Sequence, residues 1–249
     1  MSYIIGLAGK GGTGKTTISG LLIKYLIEKG KIPVLAVDAD SNANLNEVLG
    51  VKIKETLGGA REEMKKGVAT GITKDVFMEM KIQEAVVETK DFDLIVMGRP
   101  EGAGCYCAAN TLLTLYLDKL IDNYKYIVID NEAGMEHISR LTTNNINVLI
   151  TVSDASRRGV LSASRILKLT DDLGLNIQHK YFIVNQAKDG DEEIIKRMVE
   201  EYNINLLGVI PEDIKVKEFD LHGRPTVELE SESKSLIAAY EIFDKILDN

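Results

Sequence analysis

Lys15 and Thr16 close the run Gly9-Lys10-Gly11-Gly12-Thr13-Gly14-Lys15-Thr16-Thr17, which has the spacing G-x-x-x-x-G-K-T. That spacing suits a polyphosphate. Gly9, Gly11, Gly12, Thr13 and Gly14 let successive backbone N–H groups turn toward one point and cradle phosphate oxygens. Lys15 is placed to reach the β- and γ-phosphates, and the Thr16 hydroxyl to bind Mg²⁺, with Thr17 beside it. The expected ligand is ATP with Mg²⁺, and the expected reaction is hydrolysis to ADP and phosphate.

Two further segments supply carboxylates. Val37-Asp38-Ala39-Asp40 closes one apolar run, and Tyr126-Ile127-Val128-Ile129-Asp130 closes another, followed by Asn131-Glu132-Ala133-Gly134. Ligands of parallel sheets bind at the carboxyl ends of strands, where both segments end. Asp130 is expected to hold Mg²⁺ through water, and the Gly134 amide to sense the γ-phosphate. Asp38 either backs the Mg²⁺ shell or orders its own loop.

Cys105 and Cys107 form a C-x-C and are the chain's two cysteines. Gly102 and Gly104 precede them, and the helix expected to follow would favour thiolate at its N-terminus. One reading is a pair of metal ligands; the other is two small residues used for packing. A C-x-C gives two ligands, whereas closed sites for soft divalent ions use about four. A two-fold dimer would supply four sulfurs, which suggests one soft metal ion shared between two subunits; thiolates accept nickel, zinc, cobalt and copper(I) alike. His137 could assist such a site, or could serve as a helix-cap or packing histidine.

These residues need a frame to position them. Tyr3–Ala8, Pro33–Val37, Asp93–Met97, Tyr126–Ile129, Val148–Val152, Tyr181–Val184 and Leu206–Ile210 read as strands. Helical patterns fall at Thr17–Lys29 and near Ala109–Asp122, Arg158–Leu173, Glu192–Tyr202 and Lys234–Leu247. The alternation predicts an α/β fold, a mostly parallel sheet with helices on both faces. The expectation is one domain over residues 1–249, with residues 54–89 as a helical excursion off the sheet.

Composition narrows the function. The 249 residues carry a formal net charge of −8, which disfavours nucleic-acid binding. No basic amphipathic helix suits an anionic membrane surface. No apolar run reaches the roughly 18 residues of a spanning helix, and no signal peptide is evident, so the expected location is the cytoplasm.

With Lys10 directly after its first glycine, the loop resembles the deviant Walker A group, the MinD/ParA/nitrogenase-iron-protein class. The resemblance implies an ATP-dependent homodimer in which Lys10 reaches across to the partner's nucleotide. It implies that Asp40 orients the attacking water, although Ser41 stands where the class usually has proline. It also implies adenine contacts from Asn185 and from Pro211-Glu212; for Asn185 the other reading is a turn former at a strand end.

Pro100–Leu113, Ile129–Arg140 and Ser153–Gly159 resemble the CooC-type nickel-insertion ATPases, with Ala155 where proline is common. That resemblance covers essentially the whole chain. It implies nickel at four thiolates of a dimer and ATP-driven delivery to a client enzyme, carbon monoxide dehydrogenase or acetyl-CoA synthase. Two alternatives stand beside it: an iron–sulfur reductase like the nitrogenase iron protein, and a positioning ATPase like MinD or ParA. The first lacks a cysteine in the segment Asn131–Gly134. The second leaves the C-x-C unexplained.

Overall fold

The structure is a computed structural model, and it describes residues 2–67, 71, 73–99, 113, 114, 117, 119–134 and 145–247. Its strands are β1 (Tyr3–Gly9), β2 (Val34–Ala39), β3 (Val86–Glu88), β4 (Phe92–Val96), β5 (Tyr126–Asn131), β6 (Asn145–Ser153), β7 (Asn176–Ala187) and β8 (Leu206–Pro211). They form one sheet in the order β3-β4-β2-β5-β1-β6-β7-β8. Every pairing is parallel except β3 with β4.

The helices are α1 (Lys15–Glu28), α2 (Leu45–Val48), α3 (Leu57–Lys66), α4 (Lys74–Ala85), α5 (Arg157–Asp172), α6 (Glu192–Glu201), α7 (Ile214–Leu221) and α8 (Lys234–Leu247). The sheet is buried on both faces, which is why its central strands read as unbroken apolar runs. Ile5, Leu7, Val128 and Ile150 pack with Leu22 and Tyr25 of α1 and Phe243 of α8. Ile4, Val37, Ile127 and Ile129 pack on the other side with Leu113 and Leu117. Among the described residues no helix is long and apolar enough to cross a membrane.

The expected α/β fold is the one observed. Residues 54–89 differ in one respect from the expected helices. They hold α3 and α4, but Val86–Glu88 joins the sheet edge antiparallel to β4. Of the helix expected near Ala109–Asp122, the described residues 113, 114, 117, 119 and 120 are helical, and Ile121–Asn123 is a 3-10 turn.

Register positions the chemistry. In the parallel pairings Asp130 lies opposite both Leu7 of β1 and Asp38 of β2, and Gly9 lies opposite Val152 of β6. The carboxyl ends of β2, β5 and β1 therefore finish side by side, with α1 starting directly in front of them.

Candidate active site

The glycine-rich loop leaves β1 at Gly9 and enters α1 at Lys15. Two of its glycines are required by geometry. Gly9 has φ +154°, and a Cβ there would lie 2.2 Å from the Val152 carbonyl oxygen. Gly14, before the first helical residue, has φ +84°, and a Cβ there would lie 2.3 Å from Asn185 Nδ2. A side chain at either place meets both strain and a close neighbour.

Two groups hold the loop from inside. The Thr13 hydroxyl donates to the Lys10 carbonyl at 2.9 Å, and Lys15 Nζ donates to that carbonyl at 3.3 Å. Lys15 is buried. Burial pulls its pKa down, and the carboxylates of Asp130 and Asp40 oppose that effect. Its ammonium thus rests on the loop's own backbone, within the curve that would receive a phosphate. Lys10 is exposed, and among the described residues its ammonium forms no ion pair.

Asp130 is 1% exposed at the end of β5. Burial pushes its pKa up to about 6, against hydrogen bonds from Thr16 and Ser19 and the charge of Lys15. Asp38 is 0% exposed, and burial and the neighbouring Asp130 push it up to about 7. Its two oxygens accept the backbone N–H groups of Asp40 at 3.0 Å and Leu45 at 2.9 Å. Asp38 therefore shapes the loop that carries Asp40. Asp40 Oδ1 in turn accepts the Asn42 N–H at 2.8 Å.

A divalent cation fits this donor set. Mg²⁺ prefers oxygen ligands and typically takes one or two carboxylates, with waters and substrate phosphates completing its shell. Here two buried carboxyls, Asp38 and Asp130, resist ionisation, and a cation beside Asp130 would favour its ionised form. Thr16 and, through water, Asp130 are the residues that would hold it.

The segment after β5 crosses the glycine-rich loop. The Gly134 N–H donates to the Gly9 carbonyl at 3.3 Å. Asn131 Nδ2 donates to the Leu7 carbonyl at 2.8 Å. Asn185 lies on the other flank, and its Nδ2 donates to the Thr13 carbonyl at 2.9 Å. Asn185, Pro211 and Glu212 line one cleft with Thr17 and Ile18, beside the phosphate loop. Glu212 is also paired with Lys217, which holds its carboxyl below the usual range.

Every expected nucleotide-site residue from Gly9 to Glu212 gathers at this end of the sheet. Cys105, Cys107 and His137 lie outside the described residues. Among the described residues no cluster of three or more His, Cys, Asp and Glu is placed to hold a metal ion. Two residues at the site were not signalled by sequence. Ser19 is buried against Asp130, and Glu132 accepts a hydrogen bond from Ser41.

Residues 4–227 match the family model for the CobQ/CobB/MinD/ParA nucleotide binding domain. The chain belongs to that family. It is a P-loop ATPase. An uncharacterized ATP-binding protein of Methanocaldococcus jannaschii is 43% identical over 98% of each chain. The carbon monoxide dehydrogenase accessory protein CooC of Rhodospirillum rubrum is 31% identical, over 88% of this chain and 87% of its own. A solved MinD of Pyrococcus horikoshii, complexed with Mg-ADP, superposes with a TM-score of 0.74 at 26% identity, covering 99% of this chain and 96% of that one. Within this family the eight-stranded sheet and the position of the loop between β1 and α1 are as expected.

Proposed function

We propose that this ATPase works as a homodimer that binds nickel, or zinc in its place, and delivers it to a carbon monoxide dehydrogenase or acetyl-CoA synthase. The observation that carries the reading is one combination: Cys105-x-Cys107 in a chain 31% identical to a carbon monoxide dehydrogenase accessory protein over 88% of its length. The segment bearing the thiols leaves the sheet at Met97, whose N–H donates to the Asp38 carbonyl at 2.8 Å. The cargo segment and the loop that carries Asp40 thus follow neighbouring strands, β4 and β2.

The chemistry follows from the site. Backbone N–H groups of Gly11 to Thr17 take the phosphate oxygens, and Lys15 exchanges the Lys10 carbonyl for the β- and γ-phosphates. Mg²⁺, when bound, neutralises charge on those oxygens. Asp40 orients a water toward the γ-phosphorus. As the water oxygen bonds to phosphorus, the bond to the bridging β–γ oxygen breaks, giving ADP and phosphate, and the water's proton leaves with the phosphate. Lys10 of the partner subunit stabilises the charge that develops, as a trans-acting cation does elsewhere. Gly134 senses the γ-phosphate by exchanging the Gly9 carbonyl for it. Asn185, Pro211 and Glu212 hold the adenine.

The test is transfer. A nickel-free client should gain activity when mixed with the nickel-loaded chain and ATP, and gain none with Lys15→Ala. Equal activation by free nickel and by Lys15→Ala would sink the proposal. A MinD-like positioning role is the second reading, supported by 27% identity to MinD of Bacillus subtilis over 98% of this chain. ATP-dependent co-sedimentation with anionic vesicles would favour it.

A further inference from the structure

Ser19 has no assigned part in nucleotide chemistry, yet it sits against the one carboxylate expected to serve the cation. Its hydroxyl donates to Asp130 Oδ1 at 3.1 Å, with both side chains buried, at 0% and 1% exposure. Ser19 lies three residues after Thr16, so the two hydroxyls share a face of α1, one turn apart. Both bond the same carboxylate.

Their positions differ in consequence. Thr16 is at the mouth of the helix, where its oxygen can turn to a cation. Ser19 is one turn deeper, fully enclosed, and donates to Asp130. Helix α1 and strand β5 are each locked in the core through Ile18, Leu22 and Val128. The distance between Ser19 and Asp130 is therefore set by packing, not by the ligand.

We infer that Ser19 is a positioning residue for the cation: it fixes the Asp130 carboxylate so that the cation's water shell meets an oxygen already in place. The inference rests on the reading of Asp130 as the carboxylate serving Mg²⁺. Partners of this kind behind a metal site set ligand orientation, and losing one typically costs about 10–100-fold in metal affinity. A residue that merely filled the core would change stability and leave cation affinity alone.

The experiment uses Mn²⁺ as probe, read by electron paramagnetic resonance, with ADP binding measured separately in the presence and absence of the ion. For Ser19→Ala the expected result is Mn²⁺ affinity in the ADP complex down about tenfold or more, with metal-free ADP affinity unchanged. Ser19→Thr, which keeps the hydroxyl, should restore most of the affinity, and thermal melting establishes that each variant is folded. Asp130→Asn separates the two claims. If it weakens Mn²⁺ and Ser19→Ala does not, the positioning role is overturned while the cation site stands. If Asp130→Asn leaves Mn²⁺ binding intact, the reading of Asp130 itself fails.

Discussion

The Ser41 hydroxyl donates to Glu132 Oε1 at 3.3 Å, and this bond joins the loop after β2 to the loop after β5. Proline at this place could not make it. Ser41 follows Asp40 directly, so the bond helps fix the loop that carries the proposed water-orienting carboxylate. Ser41→Ala should cost about 1 kcal/mol of stability in urea unfolding. If the loss falls on the transition state, turnover drops about fivefold. KM for ATP should barely move. An unchanged kcat would show that the two loops act independently.

The two buried carboxyls predict a pH dependence. Burial, and then the neighbouring Asp130, holds Asp38 at about 7, while burial holds Asp130 at about 6. Both lie above the ordinary carboxylate value, so the folded chain binds more protons than the unfolded one between about pH 4 and 7. The contribution of these groups to nucleotide-free stability therefore falls as pH rises through that window. A divalent cation favours the ionised form, so Mg²⁺·ADP binding should release protons and tighten as pH rises through about 6 to 7. Calorimetry in buffers of different ionisation heat measures the proton count. Proton uptake on binding would contradict the assignment.

Asn185 braces the phosphate loop through its bond to the Thr13 carbonyl. Asn185→Ala should destabilise the fold by about 1–3 kcal/mol, the cost of a buried acceptor left without its donor. It should also weaken ADP binding, because the loop loses its brace and the proposed adenine cleft loses a wall. Equilibrium unfolding and ADP titration check the two effects separately. Loss of stability with no loss of affinity would reduce Asn185 to a turn former.

Lys10 is exposed and forms no ion pair among the described residues. If it serves the partner's nucleotide, Lys10→Ala should bind ATP normally and lose about 10³-fold or more in turnover, the scale of a trans-acting cation. A mixed dimer of Lys10→Ala with Lys15→Ala subunits checks the geometry. It should regain one working site, on the Lys10→Ala subunit, with the cation supplied by the Lys15→Ala partner. No rescue in the mixed population would place Lys10 outside the site.

Much of this was legible in sequence, for physical reasons. The apolar runs of β1, β2 and β5 signal strands buried on both faces, and the carboxylates closing two of them mark the ligand-binding edge. Val86–Glu88 was hidden because three residues at a sheet edge carry no periodicity. Strand β7 starts at Asn176, earlier than Tyr181, because its first residues pair with β6 alone and, apart from Ile177, are polar; β8 pairs with it only from Phe182. Helix α2, with four residues, is too short to show a pattern. Ser19 reads as a neutral polar residue in a helix. Only the packing of α1 on β5 reveals what it touches.

The most direct measurement is metal content against mass. The chain is loaded with nickel, passed over a sizing column with light scattering in the presence and absence of ATP, and analysed for metal in the dimer peak. One nickel or zinc per two chains, lost in the Cys105→Ser/Cys107→Ser double variant, is the predicted result. Metal content unchanged in that variant, or a dimer that carries none, would contradict the account.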